Sequence, residues 1–248
     1  MLERVRLKLY HQSIKRLGIR LIGGHFLYTP ALSKSSKVID AGANVGRFSR
    51  AISSSFQCQC VAIEPVPEYF NQIPENSLIQ KFQAVLADEP GELDIVISSE
   101  KEASSIFSEI AMRSGRGINI LKVKAFSVTS FLEELEWETA DLLKMDIECA
   151  ELQVLKSLTD KELLKLPQIL VEFHDFVFPE QKPEIQQAIF RLEKLGFIMI
   201  RASRNHLMDM VFLNKNRIRF SSIWYLTYLF YTKLVFPNPI ISKMEKSS

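Results

Sequence analysis

Net charge is nearly absent from this chain. Across 248 residues, 31 lysines and arginines face 29 aspartates and glutamates, leaving +2. That argues against a general nucleic-acid binder, and the expected partners include none. Cysteine is scarce: Cys58, Cys60 and Cys149 are an odd number without metal-ligand spacing. A reduced, cytoplasmic compartment fits best. Cys58 and Cys60, beside or within one strand, are expected on opposite faces. No apolar run follows the basic N-terminus, so no signal peptide is expected. The longest apolar region, Ile223 to Phe236, is broken by Thr227, Thr232 and Lys233. It is short of the roughly twenty residues that cross a bilayer. Repeats and low-complexity tracts are missing too. What is present is ordinary for a folded protein: 47% hydrophobic and 24% charged residues, enough to bury one sizeable core with appendages.

The charge is unevenly placed. Residues 1–20 carry Arg4, Arg6, Lys8, Lys15, Arg16 and Arg20 against Glu3 alone. Leu2, Val5 and Leu9, then Ile14, Leu17 and Leu21, recur between them at roughly helical spacing. Residues 1–35 therefore read as a basic N-terminal helical extension, interrupted at Gly23-Gly24. From Lys37 onward strands and helices alternate. "KVIDAG", "CQCVAIEP", the single extended run "SLIQKFQAVLAD", "LDIVIS", "INILKVKAF", "ADLLKMDIE", "LPQILVEFHD", "FIMIRA" and "LMDMVFLN" read as strands. "NVGRFSRAISSSF", "TSFLEEL" (capped by Thr129 or Ser130), "AELQVLKSL" and "PEIQQAIFRLEKLGF" (closed by Gly196) read as helices. Alternation of this kind implies an α/β fold, a mostly parallel sheet with helices on both faces.

In such sheets ligands bind at the carboxyl ends of strands. The first such end is "VIDAGANVG", Val38 to Gly46, which nearly spells a dinucleotide fingerprint. Gly42 permits the tight turn and Gly46 the close packing of helix on strand. Asn44 stands where a second glycine would let a pyrophosphate approach the backbone. Glu64 ends the next strand, 22 residues beyond Gly42, where its two oxygens can accept from both hydroxyls of a ribose. An adenosine ligand without pyrophosphate points to S-adenosylmethionine. The N–H groups of Val45 and Gly46 then suit its carboxylate, and Asp40 with the Asn44 amide suits its ammonium.

"VIDAGANVGRFS", "VAIEPVPEYF", "AVLADEPGELDIVIS", "EASSIFS" and "LLKMDIECAELQVLKSL" follow one another as in the FkbM-type S-adenosylmethionine-dependent methyltransferases. The chain resembles that family over about residues 36–214, most specifically through "KMDIECAE". Cys149 departs from the glycine usual there, and strain follows if its φ is positive. The resemblance implies a Rossmann-like class I methyltransferase fold: a mostly parallel seven-stranded sheet with the last strand antiparallel. It implies methyl transfer to a hydroxyl of a sugar, glycolipid or secondary metabolite. It carries Asp40, Gly42, Asn44 and Gly46 over as the cofactor loop and Glu64 as the ribose acid. Ala84 and Val85 come to flank the adenine, Asp146 and Glu148 to follow the fourth strand, and Ser104 and Ser105 to meet the acceptor.

A methyl on a sulfonium is already activated, so alignment and removal of the acceptor's proton are what remain. Asp146 and Glu148 end one strand; Glu172 and His174 end its neighbour, with Asp175 in the loop beyond. His174 is the attractive base, since an unperturbed imidazole titrates near neutrality. Asp146 suits orientation of the cofactor amine or acceptor. The same group with Asp175 can also hold a divalent ion, although the resemblance asks for no metal. Residues 215–248 form an aromatic-rich tail. It suits packing on the core or a partner subunit, or, with the basic N-terminus, peripheral contact with the inner face of a membrane. Two other readings stand beside methyl transfer: an NAD-dependent oxidoreductase and a non-catalytic membrane-associated binding module.

Overall fold

The computed structural model describes residues 12, 14–98, 104–105, 118–175, 178–201 and 210–230. Expectations for the start of the N-terminal helix, the flanks of Ser104-Ser105 and the tail past Phe230 lie outside the described residues. In chain order the strands are β1 (Ile19–Ile22), β2 (His25–Tyr28), β3 (Lys37–Ala41), β4 (Gln59–Ile63), β5 (Ile79–Phe82), β6 (Ala84–Leu86), β7 (Gly91–Ser98), β8 (Ser104–Ser105), β9 (Ile118–Phe126), β10 (Leu142–Met145), β11 (Gln168–Val171), β12 (Phe197–Arg201) and β13 (Met210–Asn214). The helices are α1 (Arg47–Phe56), α2 (Pro67–Phe70), α3 (Val128–Glu134), α4 (Glu151–Ser157), α5 (Asp160–Leu163), α6 (Lys182–Lys194) and α7 (Ser222–Phe230).

The main sheet has seven strands in the order β12-β13-β11-β10-β3-β4-β5. From β11 to β5 neighbours run parallel, and β13 runs antiparallel between β11 and β12. The expected antiparallel last strand is therefore present, and it lies inside the sheet rather than at its edge. Alternate residues feed two cores, as a period of two requires. Ile39, Leu143 and Ile169 pack with Phe131, Leu152 and Ile189 on one face. Val38, Leu142 and Leu170 pack with Phe48, Ile52 and Trp224 on the other. Cys58 and Cys60 are both buried in that second core as free thiols. Residues two apart in a strand share a face, so the expectation of opposite faces is corrected.

Three further expectations change. The N-terminal helix does not run through residues 1–30: residues 14–16 are helical, and β1 and β2 then form an antiparallel hairpin. Gly18 breaks the helix with φ +82, against Pro30, where a Cβ would lie 2.7 Å from Cγ. The single run after Leu78 is two strands. β5 joins the main sheet, whereas β6 pairs with β9 in a second sheet of order β6-β9-β7-β8. Finally, Ser127 caps α3 by accepting from the Ser130 N–H, two residues before the earliest expected cap, and the Thr129 hydroxyl donates to Glu162 instead.

The hairpin is fixed to the sheet by Gln168, whose Oε1 accepts from the Tyr28 N–H at 2.7 Å. This clamp lays the β1–β2 turn over the carboxyl end of β3, which places His25 at the site.

Candidate active site

The loop after β3 is held by its own protein. The Gly42 and Ala43 N–H groups both donate to Ile63 O, each at 3.0 Å. Asn44 N–H donates to Glu64 Oε2 at 2.8 Å, Val45 N–H to Asn44 Oδ1 at 2.7 Å, and Gly46 N–H to Ala43 O at 2.8 Å. The Val45 and Gly46 amides, expected on a ligand carboxylate, are thus engaged within the loop itself. Gly42 has φ +73, and a Cβ there would sit 1.7 Å from the Asp146 carbonyl oxygen. Its glycine is demanded by the neighbouring loop, which presses directly on it. Gly46, φ +74, caps α1 and lies against Ile73 and Pro74.

Asp40 is fully buried beneath this loop, not facing the cleft. Ser49 Oγ donates to its Oδ2 at 2.5 Å, and Lys144 Nζ lies 3.1 Å from its Oδ1. The pair follows from register, since Asp40 and Lys144 are directly opposed on adjacent strands. Lys144 Nζ also donates to Gly42 O at 2.8 Å and lies 3.6 Å from Asp146 Oδ2. The expected contact of Asp40 with a ligand ammonium gives way to a buried ion pair stitching β3 to β10. Asp40 and Asp146 hold the Lys144 ammonium's pKa above the ordinary lysine value despite burial.

On one side of the loop a cleft opens, lined by Asn44, Glu64 and Tyr69, by apolar Ile63, Ala84, Val85, Leu86, Ile95 and Ile147, and by Asp146 and Glu148. Glu64 Oε1 accepts from the Val66 N–H at 3.0 Å. Burial raises its pKa to about 6, against the opposing pull of the Val66 and Asn44 amides. Each oxygen keeps a lone pair for a further donor. A second depression, bounded by Gly23, Gly24, His25, Arg47 and Lys144, shares Gly42, Asn44 and Asp146 with the first.

Four of the expected residues meet as one cluster. His174 Nε2 lies 3.5 Å from Glu148 Oε2 and 3.8 Å from Asp146 Oδ1. His25 bridges the other side, 3.9 Å from both Asp146 Oδ2 and Glu172 Oε2, its ring edge-on to Phe48. Buried Glu151 lies 3.1 Å from His174 Nδ1 and accepts from the Ile147 N–H at 2.9 Å. Burial works to lower the His174 pKa, but Glu151, then Glu148 and Asp146, raise it to about 9. His174 is thus an imidazolium at neutral pH and not the free base the sequence suggests. Glu148 is pushed up to about 7, first by burial and then by Asp146, Glu151 and Glu172, while His174 pulls it down. Glu148 and Cys149 have φ +51 and +82, so the strain foreseen for cysteine in a glycine position is real and sits beside the titrating carboxylate.

Among the described residues two groupings bring possible metal-ligand atoms within 4.8 Å of one another: His25, Asp146 and Glu172, and Asp146, Glu148 and His174. Asp175 is buried, with Lys182 Nζ 3.5 Å away. Ser104 and Ser105 form β8, whose backbone pairs with Ile97 and Val96 of the second sheet. Sequence reasoning missed His25, Arg47, Lys144 and Glu151. A lysine inside "LLKM" was a signal, since a cation in a buried strand requires a carboxylate partner. His25 had none, being delivered by a hairpin folding back over the sheet.

The sheet order, the antiparallel strand within it and a cleft between a strand-end acid and a glycine turn define a class I methyltransferase fold. Residues 40–199 match the methyltransferase FkbM domain, and the chain belongs to that family. It is 27% identical over 182 residues to the AMB antimetabolite synthetase AmbE of Pseudomonas aeruginosa, covering 58% of this chain but 9% of that protein. It is 25% identical over 184 residues to Methyltransferase 1 of Beauveria bassiana, covering 65% of this chain and 72% of that one. The crystal structure of methyltransferase FkbM from Methylobacillus flagellatus superposes with a TM-score of 0.50 at 11% identity. That overlap covers 77% of this chain and 47% of the other, and it speaks for the fold alone.

Proposed function

We propose that the protein transfers a methyl group from S-adenosylmethionine to a hydroxyl of a sugar, glycan, glycolipid or secondary metabolite. The observation that carries this reading is Glu148: a part-exposed carboxylate 3.5 Å from His174 Nε2 that lines the same cleft as Glu64, with burial pushing its pKa up to about 7. The residues present fit the cofactor. Glu64 offers acceptors to a ribose diol, with apolar Ile63, Ala84, Val85 and Leu86 beside it for a purine. Arg47 supplies a cation at the second depression for the methionine carboxylate, and Asp146, which both depressions share, an anion for the ammonium. Since Gly42 to Gly46 all donate within the protein, the loop is poorly supplied with donors for a pyrophosphate, which weighs against the NAD reading.

When bound, S-adenosylmethionine supplies a methyl activated on a sulfonium. The rest falls to this chain. Glu148 takes the acceptor's proton on a carboxylate oxygen, which is half ionised near pH 7 and so close to the optimum for a general base. His174, held cationic by Glu151, keeps Glu148 from rising further and steadies Asp146. Calorimetry with S-adenosylhomocysteine and NAD tests the cofactor, and labelled methyl transfer into cell fractions tests the acceptor. Binding of the first ligand alone, and a labelled ether stable to alkali, are expected. Glu148→Gln should bind S-adenosylhomocysteine as the parent does while losing at least about a hundredfold in transfer. Failure to bind the cofactor product refutes the reading; unchanged transfer by Glu148→Gln removes the assigned base.

A further inference from the structure

Ser222 and Thr227 apart, helix α7 is built of apolar and aromatic residues. Trp224 (8% exposed) turns inward, its indole N–H donating to Leu17 O at 2.8 Å and its ring edge-on to Tyr28; Tyr228 stacks on the same indole. The opposite side consists of Ile223 (77% exposed), Leu226 (66%), Phe230 (54%) and Leu229 (46%). At a hundred degrees per residue these four fall on one contiguous face. A soluble helix ordinarily puts polar side chains there, so something apolar is expected to cover it.

The charges beside this face indicate what. The Trp224–Leu17 contact docks α7 onto the segment that precedes β1, where Lys15 and Arg16 are exposed, with exposed Arg20 following in β1 itself. Exposed Lys215, Arg217 and Arg219 lead into α7 from its other flank. Neither residues 14–24 nor residues 210–230 contain an acid. None of the six cations is in an ion pair among the described residues. In a chain of net charge +2, that concentrates positive charge around an apolar strip. A second copy of the chain would bring the same cations against themselves, and like charges disfavour that pairing. No described helix is long and apolar enough to cross a membrane.

We propose that α7 and the basic segment before β1 form a docking surface for an anionic lipid bilayer. The apolar face of α7 enters the headgroup–acyl boundary, and the flanking lysines and arginines meet the lipid phosphates. The assignment is independent of the methyl-transfer reading, because its readout is binding alone.

The test is cosedimentation of the full chain with vesicles of neutral phosphatidylcholine, or of phosphatidylcholine with about a third phosphatidylglycerol, with light scattering to give the mass in solution. The full chain should sediment with the anionic vesicles and less as salt rises. Arg217→Ala with Arg219→Ala should weaken partition about 25-fold, about fivefold for each cation lost near the surface. Leu226→Ser with Phe230→Ser should abolish it, with far-ultraviolet dichroism and melting temperature unchanged. Lack of sedimentation with anionic vesicles overturns the proposal. So does a dimer that Leu226→Ser dissolves, since a second copy then covers the face.

Discussion

Replacing Glu151 by glutamine should lower the His174 pKa from about 9 toward neutrality. Glu151 Oε1 lies 3.1 Å from His174 Nδ1, and both side chains are buried. At that distance a unit charge pair is worth between about 1 and 5 kcal/mol as the effective dielectric falls from 80 to 20. Dividing by 1.36 kcal/mol per pKa unit gives a fall of roughly 1 to 4 units. Because burial already works to lower this imidazole, the fall should exceed 1 unit and carry His174 from about 9 to near 7 or below. Glutamine keeps an oxygen for the Ile147 N–H, so the turn itself should survive.

The chain has four histidines, so nitrogen-detected NMR of histidine-labelled protein can follow His174 directly, with His174→Gln giving the assignment. The parent should titrate near 9 and Glu151→Gln at least 1 unit lower. A parent value near 6.5, or an unmoved variant, would refute the electrostatic reasoning. Stability should follow. His174 is raised in the folded state, so its contribution is fully present below about 6.5. It is lost as pH rises from there through 9, about 3 kcal/mol in all. Urea midpoints between pH 6 and 9.5 should show that decline in the parent and much less of it in Glu151→Gln.

Three other outcomes are expected. Lys144→Met leaves Asp40 buried and unpaired, costing about 3–5 kcal/mol; calorimetric melting should drop by roughly 10 °C, and adding Asp40→Asn should recover much of it. Cys149→Gly and Cys149→Ala lose the same buried sulfur, but glycine alone accepts φ +82, so Cys149→Gly should be the more stable in urea by about 1 kcal/mol. Gly42→Ala forces a Cβ into the Asp146 carbonyl. Calorimetry should show it losing affinity for S-adenosylhomocysteine by more than tenfold, through displacement of both loops.

How much of this was legible beforehand depends on range. The parallel sheet and its strand-end acids could be read because short apolar runs and their punctuating turns are local properties. "KMDIECAE" put Asp146 and Glu148 just past the end of β10, where the structure has them, and the adjacency of β10 and β11 brings Glu172 and His174 near them. The protonation of His174 was not legible, since it depends on Glu151 at 3.1 Å in three dimensions. The engagement of the loop amides was hidden for a similar reason: Ile63 and Glu64 accept from Gly42, Ala43 and Asn44, and Asn44 and Ala43 accept from Val45 and Gly46. The N-terminal segment misled differently. Ile14, Leu17 and Leu21 satisfy a helical spacing, yet Gly18 breaks the chain between them, and four-residue strands are too short to assert a period of two.

Strand β13 carries a practical consequence. The family match ends at residue 199, whereas residues 210–214 sit between β11 and β12, and His25 comes from before residue 40. Boundaries drawn by similarity therefore cut through hydrogen-bonded sheet and remove Gly23, Gly24 and His25 from the second depression. For any chimera or trimmed version, the portable unit begins before the β1–β2 hairpin and runs through α7, whose Trp224 holds the segment ahead of that hairpin, so grafting must move this helix together with the site.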